Sequence, residues 1–154
     1  MSVPSTSVAV SRTPSRLDPR GPRFGAAVST IILVLALILR SPWLLAVQVT
    51  LFAVGAFAGP GRTPQAWLFR TAIRPRLIPP AYFEDATGPR FAQQVGFAIT
   101  TLALVFVLAG LSLPGWVLAG IALIAAFLNA AFDLCLACLL LPRLRQWRYR
   151  LIGS

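Results

Sequence analysis

Phe91-Ala92-Gln93-Gln94-Val95-Gly96-Phe97 begins a stretch of 52 residues, 91–142, in which Asp133 is the only formal charge. Apolar residues fill it on both sides of one break, Ser112-Leu113-Pro114-Gly115. A soluble domain carries roughly 25% charged residues, whereas this chain of 154 carries 12% and is 57% apolar. The stretch therefore reads as two membrane-spanning helices, about 91–111 and 116–141, joined by a tight turn. Phe24–Leu39 and Trp43–Ala58 form a second, shorter pair around Arg40-Ser41-Pro42. Each of these is about 24 Å long at 1.5 Å per residue, so snorkelling arginines and interfacial aromatics have to complete the crossing.

Both pairs open on the same words. Asp18-Pro19-Arg20-Gly21-Pro22-Arg23-Phe24 and Asp85-Ala86-Thr87-Gly88-Pro89-Arg90-Phe91 share Asp-x-x-Gly-Pro-Arg-Phe, and each pair turns at a Pro shortly before a Trp. This pattern predicts a duplicated two-helix unit. An even number of spans per unit makes the two copies parallel. In physical terms the motif starts and anchors a helix: Pro costs no hydrogen bond at the first turn, Arg reaches the headgroups, and Phe begins the buried face. Arg23, Arg90, Trp43, Trp116 and Trp147 are accordingly the expected membrane anchors.

Between the pairs, Thr63-Pro64 has the form of an N-cap followed by Pro at the first helical position. Residues 64–74 then read as an amphipathic interfacial helix, with Leu68, Phe69, Ala72 and Ile73 on one side and Arg70 and Arg74 on the other. Residues 1–17, rich in Ser, Thr and Pro, read as a disordered tail. Residues 142–154 read as a basic tail in which four arginines alternate with Trp147 and Tyr149. The expected fold is an all-α integral membrane four-helix bundle of two parallel-repeat hairpins, with an interfacial helix between them.

The net charge is +10, and all 14 basic residues are Arg. Because the arginines flank apolar spans, anionic lipid headgroups are the expected partner, and nucleic acid is not. Thirteen arginines fall on one side of the proposed membrane and only Arg40 on the other. The positive-inside rule then puts both termini in the cytoplasm of a bacterium-type inner membrane.

Chemistry has few places to reside. There is no His, no phosphate-binding Gly loop and no Ser/His/Asp set, so hydrolase and nucleotide-dependent reactions have no footing. Cys135 and Cys138 form a C-x-x-C near the end of the last expected span. Three readings stay open there: packing residues, a redox or sulfur-handling pair, or half of a metal site completed by a second subunit. On a continuous helix the pair faces away from Asp133, lies at the helix C-terminus, and would strain a disulfide. A reduced pair is expected. Asp133 and Asn129, four apart, form a separate polar face, serving either as a clamp to Arg23 or Arg90 or as a proton path in a homodimeric transporter.

The Asp-Pro and Pro-Arg-Phe starts, the Arg-Pro-Arg-Leu run at 74–77, the second Pro-Arg-Phe at 89–91 and the terminal Cys-Leu-x-Cys resemble the domain-of-unknown-function 4395 family. The likeness runs from about residue 16 to 141. It implies a bacterial four-span membrane protein, matches Cys135 and Cys138 to the family's cysteine pair, and suggests a soluble thioredoxin-like or sulfurtransferase partner. Cofactor and metal stay unassigned. Membership of a larger assembly as a non-enzymatic subunit is the competing function.

Overall fold

The computed structural model describes residues 16–153, leaving out the side chains of residues 136–138. It is all-helical apart from one two-residue ladder. Four apolar helices make the body: α1 (Arg20–Leu39), α2 (Pro42–Phe57), α4 (Thr87–Leu108) and α5 (Ser112–Phe132). Three of them, α1, α4 and α5, are long and apolar enough to cross a membrane, while α2 is apolar but has 16 residues. A short α3 (Pro64–Leu68) lies between the pairs, and α6 (Leu136–Ile152) closes the chain.

Local chemistry sets these boundaries. Ser41 caps α2, its Oγ accepting the Leu44 N–H at 3.5 Å, with Pro42 at the first helical position. Thr63 caps α3 in the same way, accepting the Ala66 N–H at 3.1 Å. The α1–α2 turn uses Arg40 at φ 49° and the α4–α5 turn uses Gly110 at φ 87°, both left-handed.

The most extensive packing runs α1 against α5, α2 against α4, and α4 against α5, with less between α1 and α2. Each first helix of a pair thus packs best on the second helix of the other pair. Leu33, Leu45, Ala103, Trp116, Ala119 and Ala122 form the core. Small residues let the backbones approach: a Cβ on Gly115 would stand 2.9 Å from the Ala103 carbonyl oxygen and 3.0 Å from the Val107 nitrogen. One polar pair is buried with the core, where Gln48 Nε2 donates to Ser29 Oγ at 3.0 Å.

Several expectations change. The interfacial helix is broken into α3, a π-turn at Phe69–Ile73 and a 3-10 turn at Arg74–Arg76. Phe69 does not lie on lipid; it is 4% exposed, with its ring 5.9 Å from that of Phe24. Trp116 packs inward as well. It is 8% exposed, and the Arg40 guanidinium sits 5.6 Å from its ring centre. Trp43 and Trp147 are exposed, at 83% and 71%.

The largest change is at the end of the chain. The expected span 116–141 is not one helix. It stops at Phe132, where Asp133 takes φ 57° and caps the helix with its N–H on the Leu128 carbonyl. Residues 133–135 are non-helical and a new helix starts at Leu136. The apolar pattern of residues 136–141 belongs to the first turns of α6, which also absorbs most of the expected tail and carries Pro142 inside it. Hydropathy runs straight through this break, since Leu134 and Leu136 are as apolar as the helix before them.

Candidate functional site

The two Asp-x-x-Gly-Pro-Arg-Phe copies lie side by side. Arg16–Leu17 pairs antiparallel with Glu84–Asp85, Arg16 opposite Asp85 and Leu17 opposite Glu84. Within each copy the Asp turns the chain into its helix. Asp18 Oδ1 accepts the Arg20 N–H at 3.0 Å, and Asp85 Oδ1 accepts the Thr87 N–H at 3.0 Å and its hydroxyl at 2.9 Å. Those bonds hold the Asp85 carboxyl below its usual range, the backbone donor first.

The motif arginines also do equivalent work. Arg23 Nη2 donates to the Ala130 carbonyl at 3.3 Å, near the end of α5. Arg90 donates to the Ala56 carbonyl at 3.1 Å and the Phe57 carbonyl at 3.4 Å, at the end of α2. Each arginine satisfies carbonyls that a helix C-terminus leaves open. The starts of α1 and α4 and the ends of α2 and α5 therefore gather at one end of the bundle.

At that end lies a cavity of about 420 Å³. Its walls come from α1 (Ala26, Ser29), α4 (Gln93, Gly96) and α5 (Ala122, Asn129). Its rim includes Glu84, Asp133 and Cys135, and its lining is mostly apolar. From Asp133 to Ala122 along α5 is about 16 Å, so the cavity reaches roughly halfway along the bundle. Asn129 is half-buried on its wall.

Asp133 thus stands at the end of α5 and not within a continuous helix. It caps a helix end with a 60% exposed side chain, its Oδ1 3.9 Å from Arg23 Nε. Arg23 is the neighbour its carboxylate meets. A pair this exposed contributes little to stability. The separation of Asp133 from the cysteines onto opposing helix faces does not hold, because the chain leaves the helix at Asp133. All three residues belong to one junction.

Cys135 is half-buried at the junction and is disulfide-bonded, not a free thiol. The expectation of a reduced pair rested partly on the strain of bridging within a regular helix, and Cys135 stands outside one. Its carbonyl accepts the Leu139 N–H at 3.0 Å, which makes it the N-cap of α6. The polarity of the site is the reverse of that expected: Cys135 meets the positive end of a helix dipole, not the negative end. The Cys138 side chain lies outside the described residues.

Glu84, on the rim, has its carboxyl pushed above the usual range by burial first, then by the charges of Asp133 and Asp85. A folded-state pKa raised above the unfolded value means the native state binds the proton more tightly. Stability from this group is therefore present below the unfolded value and is lost as pH rises through the raised one. Glu84→Gln is expected to raise the thermal midpoint slightly at pH 7 and to flatten its dependence on pH just above 4.5. A fall in midpoint at pH 7, followed by differential scanning calorimetry, would contradict this.

Residues 17–146 match a family described as a domain of unknown function (DUF4395). The chain belongs to this family. The DUF4395 match covers both motif copies, all four apolar helices and the Cys135 junction, so the whole site lies within it. No curated protein and no solved structure matches the chain.

The sequence missed two parts of this site. The ladder between residues 16–17 and 84–85 is too short to show a strand period. The break at Asp133 had one cue, an acidic residue of left-handed tolerance in an apolar run, which reads equally as an intramembrane acid.

Proposed function

We propose that this DUF4395 protein is a four-span protein of the bacterial cytoplasmic membrane that exchanges disulfides with a soluble dithiol protein through Cys135 and Cys138. The observation that carries the reading is the position of Cys135. It caps the first turn of α6, on the rim of an apolar cavity, at the Arg-rich end of the bundle. Reactive C-x-x-C pairs use the N-terminal end of a helix, where the dipole and free N–H groups stabilise a thiolate. The exchange balances without a cofactor: a partner dithiolate attacks the disulfide, a mixed disulfide forms, and the second partner thiol releases the Cys-x-x-Cys pair as a dithiol. A thioredoxin-like or sulfurtransferase protein has the required chemistry.

Connectivity supports a reading of four crossings. Residues 16–17 pair with 84–85, so α1 and α4 start at the same end. Since α1 carries the chain to the far end, α2 has to carry it back, and Arg90 meets the last carbonyls of α2 at the near end. Sixteen residues with an exposed Trp43 at one end and Arg90 at the other suffice for a crossing with slight local thinning. The matched turns and matched arginine contacts support a duplicated two-helix unit. By arginine distribution the near end faces the cytoplasm.

Helix α6 fits the membrane surface. Leu140, Leu144, Trp147 and Leu151 recur at i, i+4, i+7 and i+11 on one face and are all exposed, and Arg143, Arg145, Arg148 and Arg150 are interspersed. The helix would lie in the headgroup layer, with Cys135 at its inner end.

Sidedness is tested by labelling with a membrane-impermeant maleimide. Cys135 is expected to label only in cells that have been permeabilised and treated with reductant. Labelling of intact cells would refute the cytoplasmic placement, and full labelling of permeabilised cells without reductant would refute the resting disulfide.

A further inference from the structure

We propose that a second cavity at the Arg-rich end, formed by the start of α1, the 60–66 turn and the π-turn, is a binding site for a phosphate group. Nothing in this inference depends on the thiol reading. The cavity has a volume of about 180 Å³, and Arg16, Arg70 and Arg74 line it. Arg70 Nη1 donates to the Gly61 carbonyl at 2.8 Å, which holds that guanidinium against the wall. Among the described residues the only ion pair is Arg23–Asp133, so none of these three guanidiniums is neutralised by a carboxylate. One acid, Asp18, also lines the cavity, and its Oδ1 is engaged with the Arg20 N–H at 3.0 Å. Three guanidiniums against one carboxylate leave a net positive site.

An amide side chain also belongs to the wall. Gln65, on the cavity wall, is 8% exposed, and its Oε1 is buried with no hydrogen-bond partner. Buried amides of folded proteins are nearly always partnered, so an unpartnered one calls for an explanation. The same amide carries two N–H donors on Nε2. Arginines and an amide N–H together match the several acceptor oxygens of a phosphate, which arginine binds through paired N–H groups.

Position gives the source. Gly25 and Gln93 line the deep end, within two turns of the starts of α1 and α4. A phosphate there stands at the headgroup level of a bilayer around those helices, where basic pockets between spans take anionic lipid. A soluble phosphate compound entering from the water side has the same chemistry.

Two probes separate the sources, both applied to the purified full-length protein. Phosphatidylglycerol retention is read by native mass spectrometry, and glycerol 3-phosphate binding by calorimetry. Wild-type protein is expected to retain one phosphatidylglycerol molecule in preference to zwitterionic lipid. Gln65→Glu, and separately the pair Arg16→Gln with Arg74→Gln, should weaken retention at least about tenfold. Arg145→Gln with Arg148→Gln on α6 should leave it unchanged. Binding of glycerol 3-phosphate without lipid preference, lost in the same variants, supports the site and assigns it a soluble ligand. Binding of neither probe, or equal loss in the α6 variant, overturns the proposal. Thermal midpoints are measured throughout, and if Gln65→Glu fails to fold, the arginine pair decides.

Discussion

Gly115→Ala is expected to destabilise the bundle by about 1–3 kcal/mol, the usual cost of overpacking a tight interface. A methyl group there would meet Val107 Cγ2 at 2.6 Å, the Ala103 carbonyl oxygen at 2.9 Å and the Val107 nitrogen at 3.0 Å. Two of these are backbone atoms of α4, so relief requires the helices to separate. Separation would also disturb Ala119 and Trp116, which belong to the core that α4 and α5 share with α1 and α2. Gly120→Ala, five residues on in the same helix, meets nothing within 4 Å. It should be neutral or stabilising by about 0.5–1 kcal/mol, because alanine loses less backbone entropy than glycine. Opposite signs for two Gly→Ala changes in one helix, read as thermal midpoints in detergent, would confirm the packing of α4 on α5. Equal effects would contradict it.

Cys135→Ser is expected to abolish disulfide exchange while protein level and thermal midpoint stay close to wild type. The residue is half-buried at a helix junction and does not belong to the core cluster. Serine is also a favourable N-cap, so α6 keeps its start. A packing role predicts the reverse: reduced protein level with exchange unaffected. Measurement of exchange against a reduced thioredoxin-like protein, with the membrane protein quantified in the same samples, separates the two.

The apolar helices were legible because a hydrocarbon environment imposes one rule on the whole segment, and the rule shows in composition. The turns at Arg40 and near Ser112 were legible from Pro, Gly and Trp. The repeated Asp-x-x-Gly-Pro-Arg-Phe marked both helix starts, and the structure shows what its residues do: Asp forms the turn and Arg satisfies the open carbonyls of a neighbouring helix. Partner helices could not be read, since α1 with α5 and α2 with α4 depend on which small residues meet.

Residue type marks the candidate site in the sequence, but its geometry is not legible there. Cys135, Cys138, Asn129 and Asp133 were singled out by type and setting. Their relation depended on a continuous helix, and one left-handed residue at Asp133 removed it. Trp116 shows the same limit: a Trp beside a turn does not tell from sequence whether it packs inward, and here it is buried with Arg40 over its ring.

The most direct test of the central claim is trapping a mixed disulfide on Cys135. Cells expressing Cys138→Ser are quenched in acid, alkylated, and compared with cells expressing Cys135→Ser with Cys138→Ser. The account predicts a reductant-sensitive adduct in Cys138→Ser, formed when the Cys135 thiolate attacks the disulfide form of the soluble protein and releases one partner thiol, and absent from the double variant. No adduct in Cys138→Ser, with the variant present at wild-type level, would show that the junction does not exchange disulfides.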